Sequence, residues 1–597
     1  MSRYRPVLIF LWAVWLAVST YAQDRDAIEN LALDKPVTVS QALPDYPSTQ
    51  AADGIREGLN WWGSGQFAPQ WIEIDLEVPS TIHALRLVAS QDPQGLTVHH
   101  IYVSEAGREY HLLHTFEEIT HDQQTLEYVL PEPRAGIRFV RIETVESPSV
   151  SWREIEVLGT PDAPIVSAAA INVDVEQQPE VPSIIFYNGQ VVTMNADAPS
   201  ASALAVAGEM IVAVGADADV LALAGANTRL IDLQGRALMP GFVDPHTHLF
   251  NDAVSTLGLT LEEAQQVALS YGFTTMGNLY TEPEFVEQMR EFENDGLRIR
   301  TSLYLIANTN CGDLMGDWYL DYPQTREPGE LLRIGGVKIF ADGGTCNRPA
   351  FSYEDPTLGY GDLFLSQEAL NELVADVQAS GYQVVIHALG DRAVETAQNA
   401  IEFALDGQPN SYRHRIDHNT VIRPELLPRY SEIGIVAVIF GTYPACNPFS
   451  DPPPPPYDSW EWNWRGLIDA NPGLHIAWHG DDPYIGPISP LGELYSMVTL
   501  HQIDPDGVTI CDTPEWLTNK TLTVEEALPM MTIEAAYALF RDEEVGSLEV
   551  GKYADLLVVS DNPLAVEPES IKDIEVWLTM IGGQTEYCMP GRGEFCP

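Results

Sequence analysis

The chain has 597 residues and a net charge of −55 at pH 7, from 31 basic and 86 acidic side chains. That length implies at least two domains, each with its own core. The charge argues against nucleic acid and anionic membrane surfaces as partners. The acid is spread along the chain, as in adaptation to solubility or high salt, and lysine occurs only at Lys35, Lys338, Lys520, Lys552 and Lys572.

Arg3 and Arg5 precede an apolar run from Val7 to Val18, which is short for a membrane span, and Thr20-Tyr21-Ala22 offers a small-residue cleavage site. This pattern predicts a signal peptide over 1–22, an extracellular or periplasmic location and no membrane span after cleavage. Export permits disulfides among Cys311, Cys346, Cys446, Cys511, Cys588 and Cys596. Six cysteines allow fifteen pairings; Cys588–Cys596 would close the shortest loop, but sequence does not choose among them.

Residues 30–160 read as all-β. Trp71 to Leu76 alternates, and Leu85-Arg86-Leu87 and Ile137 to Ile142 do much the same. An antiparallel sandwich is expected. Ala52-Asp53-Gly54, Trp61-Trp62, Gln70 to Leu76, Ile137 to Glu143 and Glu154 to Val157 resemble the F5/8 type C (discoidin-like) domain. The resemblance implies glycan or cell-surface binding through loops at one end, with Ca2+ and a liganding turn at Asp53. Trp61 and Trp62 are either core or binding platform. Residues 161–182, rich in Pro, Ala, Gln and Glu, read as a linker.

Short β-runs in 183–235 and 546–588 flank a long middle and predict one small sandwich built from both. Between them, 236–545 alternates strand and helix. Eight strands are expected: Ala237–Val243, Thr274–Leu279, Arg298–Ile306, Gly336–Phe340, Gln383–Ile386, His414–Asp417, Ile433–Ile439 and His475–Trp478. Thr260 with Glu263 and Thr523 with Glu526 form capping boxes, and Ser366 precedes an amphipathic run. The pattern predicts a (β/α)8 TIM-like barrel, in which chemistry sits where strands end.

Several predicted strands end in a metal-competent residue. His246 and His248 share one face by the period of two, Lys338 lies in the fourth strand, and His387, His418 and Asp481 close the fifth, sixth and eighth. Any one alone reads as an ordinary structural side chain; together at one barrel mouth they make a metal site. Asp451 to Tyr457, five prolines between an aspartate and a tyrosine, leads into Trp460, Trp462 and Trp464 as a stiff loop suited to a lid, or simply to local packing.

Leu238 to Leu249, Gly336 to Gly343, Gly359 to Leu365, His387 to Arg392, Arg413 to His418 and Gly546 to Leu557 resemble the amidohydrolase superfamily. The likeness is to its two-metal form with a carboxylated lysine, in the amidohydrolase-3 (YtcJ-like) branch. It implies two divalent ions, Zn2+ foremost: His246 and His248 on one, His387 and His418 on the other, and a carbamate on Lys338 bridging both. Asp481 would ligate the first ion and move the proton. An ammonium cannot coordinate a cation, but a buried neutral amine can take up carbon dioxide and present two oxygens. The branch usually shows Gly-Ser-Asp-x-Pro where this chain has His479-Gly480-Asp481-Asp482-Pro483, so Asp482 competes with Asp481. The span from His248 to Lys338 is also short for the branch, which separates this chain from deformylase specificity. Substrate contacts are expected from His414, Arg348, Trp460 and Trp462. The whole implies a secreted hydrolase of a non-peptide carbon–nitrogen bond in a small amide-type substrate. Alternatives are a lactone, a cyclic amide or an N-acyl amino acid on the same site, or an inactive glycan-binding protein.

Overall fold

The chain divides into two units, Met1–Asp174 and Val175–Pro597. The computed structural model describes residues 29–161 and 181–597, apart from 34, 41–42, 44–45, 47, 53, 57–60, 66–67, 92, 105–109, 148–149, 345, 447–452, 485–487, 505 and 518–519. The expected signal peptide, Asp53 and residues 162–180 of the expected linker lie outside these residues.

In the first unit, period-two alternation produces an eight-stranded antiparallel sheet among the described residues. Its longest strands, Gln70–Ala89 and Thr125–Glu146, pair through register shifts near Ser80 and Ile82, where the sheet curls. Ile72, Ile74 and Leu76 point into one core with Trp62 and Trp152. Trp61 is half-buried instead, stacked on Tyr46 at 4.7 Å.

The second unit contains an eight-stranded parallel sheet in sequential order. Its strands are β1 (Phe242–Thr247), β2 (Phe273–Thr281), β3 (Arg300–Ile306), β4 (Leu332–Phe340), β5 (Val384–Ala388), β6 (Arg415–His418), β7 (Val436–Phe440) and β8 (Ile476–His479). Trp478 on β8 donates its indole N–H to the Val243 carbonyl on β1 at 2.8 Å, bringing the first and last strands together as a TIM-like barrel. Thr260 and Thr523 make both bonds of their capping boxes, and Ser366 caps Gln367–Ala379.

One expectation needs correction. Ala237–Pro240 is not part of β1. It pairs with Gln190–Val192 and Leu556–Val559 in a six-stranded sheet that also includes Val576–Ile581 and Gln584–Cys588. A four-stranded sheet around Ile184–Tyr187 packs against it over Phe186, Leu204, Leu238, Leu556 and Trp577. Ala237–Pro240 is wholly apolar and runs on through Gly241 into the apolar Phe242-Val243 start of β1, so hydropathy alone fuses them. The disulfides are Cys311–Cys346, Cys446–Cys511 and Cys588–Cys596. No helix among the described residues is long and apolar enough to cross a membrane.

Candidate metal centre

β1 delivers His246 and His248 to the C-terminal mouth of the barrel. Gly277 on β2 permits this: a Cβ there would stand 2.3 Å from the Pro245 carbonyl oxygen, so only glycine lets the strands close at that level. Asp244 accepts the His246 backbone N–H at 2.8 Å and the Gly480 N–H at 3.3 Å, fixing the end of β1 against the turn after β8. His418 (φ 79) and Asp481 (φ 55) both hold left-handed backbone, a cost of about 1–3 kcal/mol each that the surrounding packing must sustain.

Asp481 Oδ1 lies 3.4 Å from His246 Nε2 and 3.3 Å from His248 Nε2. Two donors each ~2.05 Å from a tetrahedral ion stand ~3.4 Å apart, so these are the separations a shared ion requires. The rings of His387 and His418 meet at 4.4 Å between centroids, and His246 and His418 at 4.6 Å. Lys338 is fully buried on β4, and its Nζ has no hydrogen-bond partner, nor do His387 Nε2 and His418 Nδ1. Buried polar atoms without partners are costly, and a metal centre bridged by a modified lysine would satisfy them. The donor set therefore fits two ions.

Electrostatics agrees with ligation. Burial lowers the Lys338 ammonium to about 8 and the imidazolium of His387 to about 3, and it holds His246 and His418 well below the usual histidine range. Neutral imidazole is the ligating form. Burial pushes the Asp481 carboxyl up, but the His248 hydrogen bond and the surrounding imidazoles and Lys338 outweigh it, leaving a net downward shift. Asp482 belongs to neither of the His/Asp clusters that could hold an ion among the described residues. It turns its backbone carbonyl to the His248 N–H at 2.8 Å, and burial raises its carboxyl to about 8.

A cavity of about 690 Å³ opens above the histidines, walled by Tyr280, Phe340, Phe351, Phe440, Tyr443 and Trp462, with Arg348 also on its lining. Trp462 is buried, and the segment Trp460–Trp462 is tied down where Trp462 N–H donates to the Thr420 carbonyl and Ile422 N–H to the Trp460 carbonyl. Trp460 itself turns away to pack on Tyr353 and Tyr457, outside the lining. His414 is also absent from the pocket. It precedes β6, at the end of the strand opposite His418, where Nδ1 accepts from Val384 N–H at 2.9 Å and Nε2 meets Gln378 Oε1 at 2.8 Å. Its role is structural, because both nitrogens are already used.

Two residues gain roles that the sequence reading did not give them. Asp417 Oδ2 lies 2.7 Å from His246 Nδ1, and Arg415 Nε lies 3.2 Å from Asp417 Oδ1. His479, fully buried at the end of β8, stacks on His246 at 4.7 Å. Strand alternation places Arg415 and Asp417 on one face and His414 and Ile416 on the other, which was the available signal for Asp417.

Comparison with known proteins agrees with this architecture. The model of the Amidohydrolase family matches residues 229–268 and 261–587, and that of the F5/8 type C domain matches 36–156. The YtcJ protein of Bacillus subtilis (strain 168) is 29% identical over 275 residues, 43% of this chain and 48% of its own length. An N-substituted formamide deformylase of Arthrobacter pascens is 26% identical over 282 residues, 43% of this chain and 46% of its own. The chain thus spans about half the length of these relatives. An uncharacterized metal-dependent hydrolase from Pyrococcus horikoshii OT3 shares the fold at 17% identity with a TM-score of 0.53, covering 65% of this chain and 99% of that one. The chain belongs to the amidohydrolase family and carries an F5/8 type C domain ahead of its barrel.

Proposed function

We propose that the second unit is a metal-dependent hydrolase of a non-peptide carbon–nitrogen bond in a small amide-type substrate. The observation that carries this reading is the placing of Asp481 Oδ1 within 3.4 Å of both His246 Nε2 and His248 Nε2, beneath the cavity. His246, His248 and Asp481 would hold one ion, His387 and His418 the other, and Lys338, as a carbamate, both. Bound Zn2+ or a similar ion supplies Lewis-acid polarisation of a carbonyl and an acidified water.

The remaining work falls to the chain. Asp481, held ionised at neutral pH, accepts a proton from the attacking water and returns it to the leaving amine. Asp417 holds the Nδ1–H of His246, so that Nε2 stays free to ligate. The aromatic wall excludes bulk water and accommodates an apolar acyl or amine portion. The first unit would serve as a glycan or surface-binding module, with Asp53 as a Ca2+ ligand, on an exported protein.

The test is a panel of formamides, cyclic amides, N-acyl amino acids and lactones, run with wild type and Asp481→Asn at matched metal content. Turnover of an amide that falls at least ~1,000-fold in the variant supports the reading. Turnover confined to lactones would move the activity to carbon–oxygen bonds. No turnover in a protein holding two ions per chain would leave the glycan-binding protein as the better account.

A further inference from the structure

We propose that His479 is a metal ligand, which with His246 and His418 forms an all-imidazole set that holds one transition-metal ion without any carbamate at Lys338. This rests on the metal-centre reading but not on hydrolysis.

His479 stands where the usual motif has its glycine, and β8 aims it into the barrel beneath the mouth. Its ring lies 4.7 Å from His246 and 4.8 Å from His418 between centroids, so it sits between the two halves of the expected centre. One ligand-capable atom from each of His246, His418 and His479 falls within 4.8 Å of the other two. Donors around one tetrahedral ion are ~3.4 Å apart, so an ion would draw these atoms together by up to ~1.4 Å.

The second observation concerns partners. His479 is fully buried, yet neither Nδ1 nor Nε2 has a hydrogen bond. This chain does supply partners to buried histidines that do not ligate: His414 uses both nitrogens, and His99 Nδ1 meets Thr144 Oγ1 at 2.9 Å. The rings packed on it are those of His246, His418 and Phe440, the Asp481 carboxylate and Lys338 act on it electrostatically, and none of them hydrogen-bonds to its nitrogens, so an ion would supply the partner they lack.

The set has a chemical consequence. Three neutral imidazoles with an open fourth position form a known catalytic arrangement for zinc, and imidazole suits zinc, cobalt, nickel and copper alike. Such a set adds no negative charge and asks nothing of Lys338. His246 has Nδ1 committed to Asp417, so it offers a single nitrogen, Nε2, to both this set and the set with His248 and Asp481. The two arrangements therefore compete for that atom. With Lys338 carboxylated, the centre takes two ions; without carbon dioxide, it retains one on the imidazoles.

The experiment uses the full chain, stripped with chelator and reloaded with Co2+ in buffer free of carbon dioxide. Co2+ per chain is read by mass spectrometry, and the ligand field by visible absorption. Wild type and Lys338→Met should each hold one ion, and adding His479→Gln to Lys338→Met should weaken that ion at least ~10-fold and change the cobalt spectrum. His479→Asn repeats the test with a smaller side chain, and near-ultraviolet circular dichroism confirms that each variant is folded. The proposal is overturned if folded Lys338→Met and carbon-dioxide-free wild type hold no Co2+, or if His479→Gln and His479→Asn leave affinity and spectrum unchanged. Both readouts stand even if no substrate in the panel is ever turned over.

Discussion

His246 and Asp417 are joined across the barrel: Nδ1 of the imidazole lies 2.7 Å from Oδ2 of the carboxylate, and both side chains are fully enclosed. Arg415 pairs in charge with the other carboxylate oxygen, Nε 3.2 Å from Oδ1, and donates through Nη2 to the Pro245 carbonyl at 2.8 Å. The tautomer and direction of the ligand are thus set from beneath. Asp417→Asn should lower metal affinity by ~10–100-fold while the fold persists, as measured by competition with a chelator.

Lys338 should make metal uptake depend on both bicarbonate and pH. Its folded pKa is about 8, lowered from 10.5 by burial. Below that value the amine is protonated and cannot take up carbon dioxide. Bicarbonate-dependent loading of the second ion should therefore rise as pH passes upward through about 8, and Lys338→Arg should abolish it at every pH. The same shift means that between about 8 and 10.5 the unfolded chain binds a proton that the folded metal-free chain does not, so stability rises with pH in that window.

The Cys311–Cys346 disulfide ties the loop after β3 to the loop after β4, and the adjacent Asn310, Asn347 and Arg348 line the cavity. Cys346→Ser should raise KM several-fold for a substrate that touches this wall and leave kcat nearly unchanged, because the ligands lie on other elements.

His99 in the first unit makes that unit sensitive to acid. Burial lowers its pKa from 6.5 to about 4. The unfolded chain takes up the proton first, so stability present above pH 6.5 is lost as pH falls through about 4, by up to about 3 kcal/mol. Denaturant unfolding followed by tryptophan fluorescence should show this slope, with Trp152 as reporter at 4.6 Å, and His99→Gln should flatten it.

Much of the centre was legible because strand ends carry the chemistry in this architecture: His246, His387 and His418 lie on β1, β5 and β6 and were found as polar residues closing apolar runs, whereas Lys338, inside β4, stood out as the one lysine between Lys35 and Lys520. Three things escaped that reasoning. Ala237–Pro240 and β1 read as one strand because an apolar run carries no mark of which sheet receives it. His414 was misjudged because proximity in sequence to His418 says nothing of strand polarity; one residue before β6, it lies at the wrong end. Asp417 and His479 were visible as letters, but their roles depend on residues more than a hundred positions away, in contacts no local pattern encodes.

The strand Ala237–Pro240 sits between Gln190–Val192 and Leu556–Val559, so the six-stranded sheet is completed only by residues made after the whole barrel. During synthesis, the entry to β1 waits unpaired on one side until the ribosome has passed position 559. A nascent chain stopped short of that point would present an open, wholly apolar strand edge, the kind that recruits chaperones or other copies of itself. The barrel is therefore an insertion within the smaller sandwich, and in the order of assembly the last strands to emerge clasp the first.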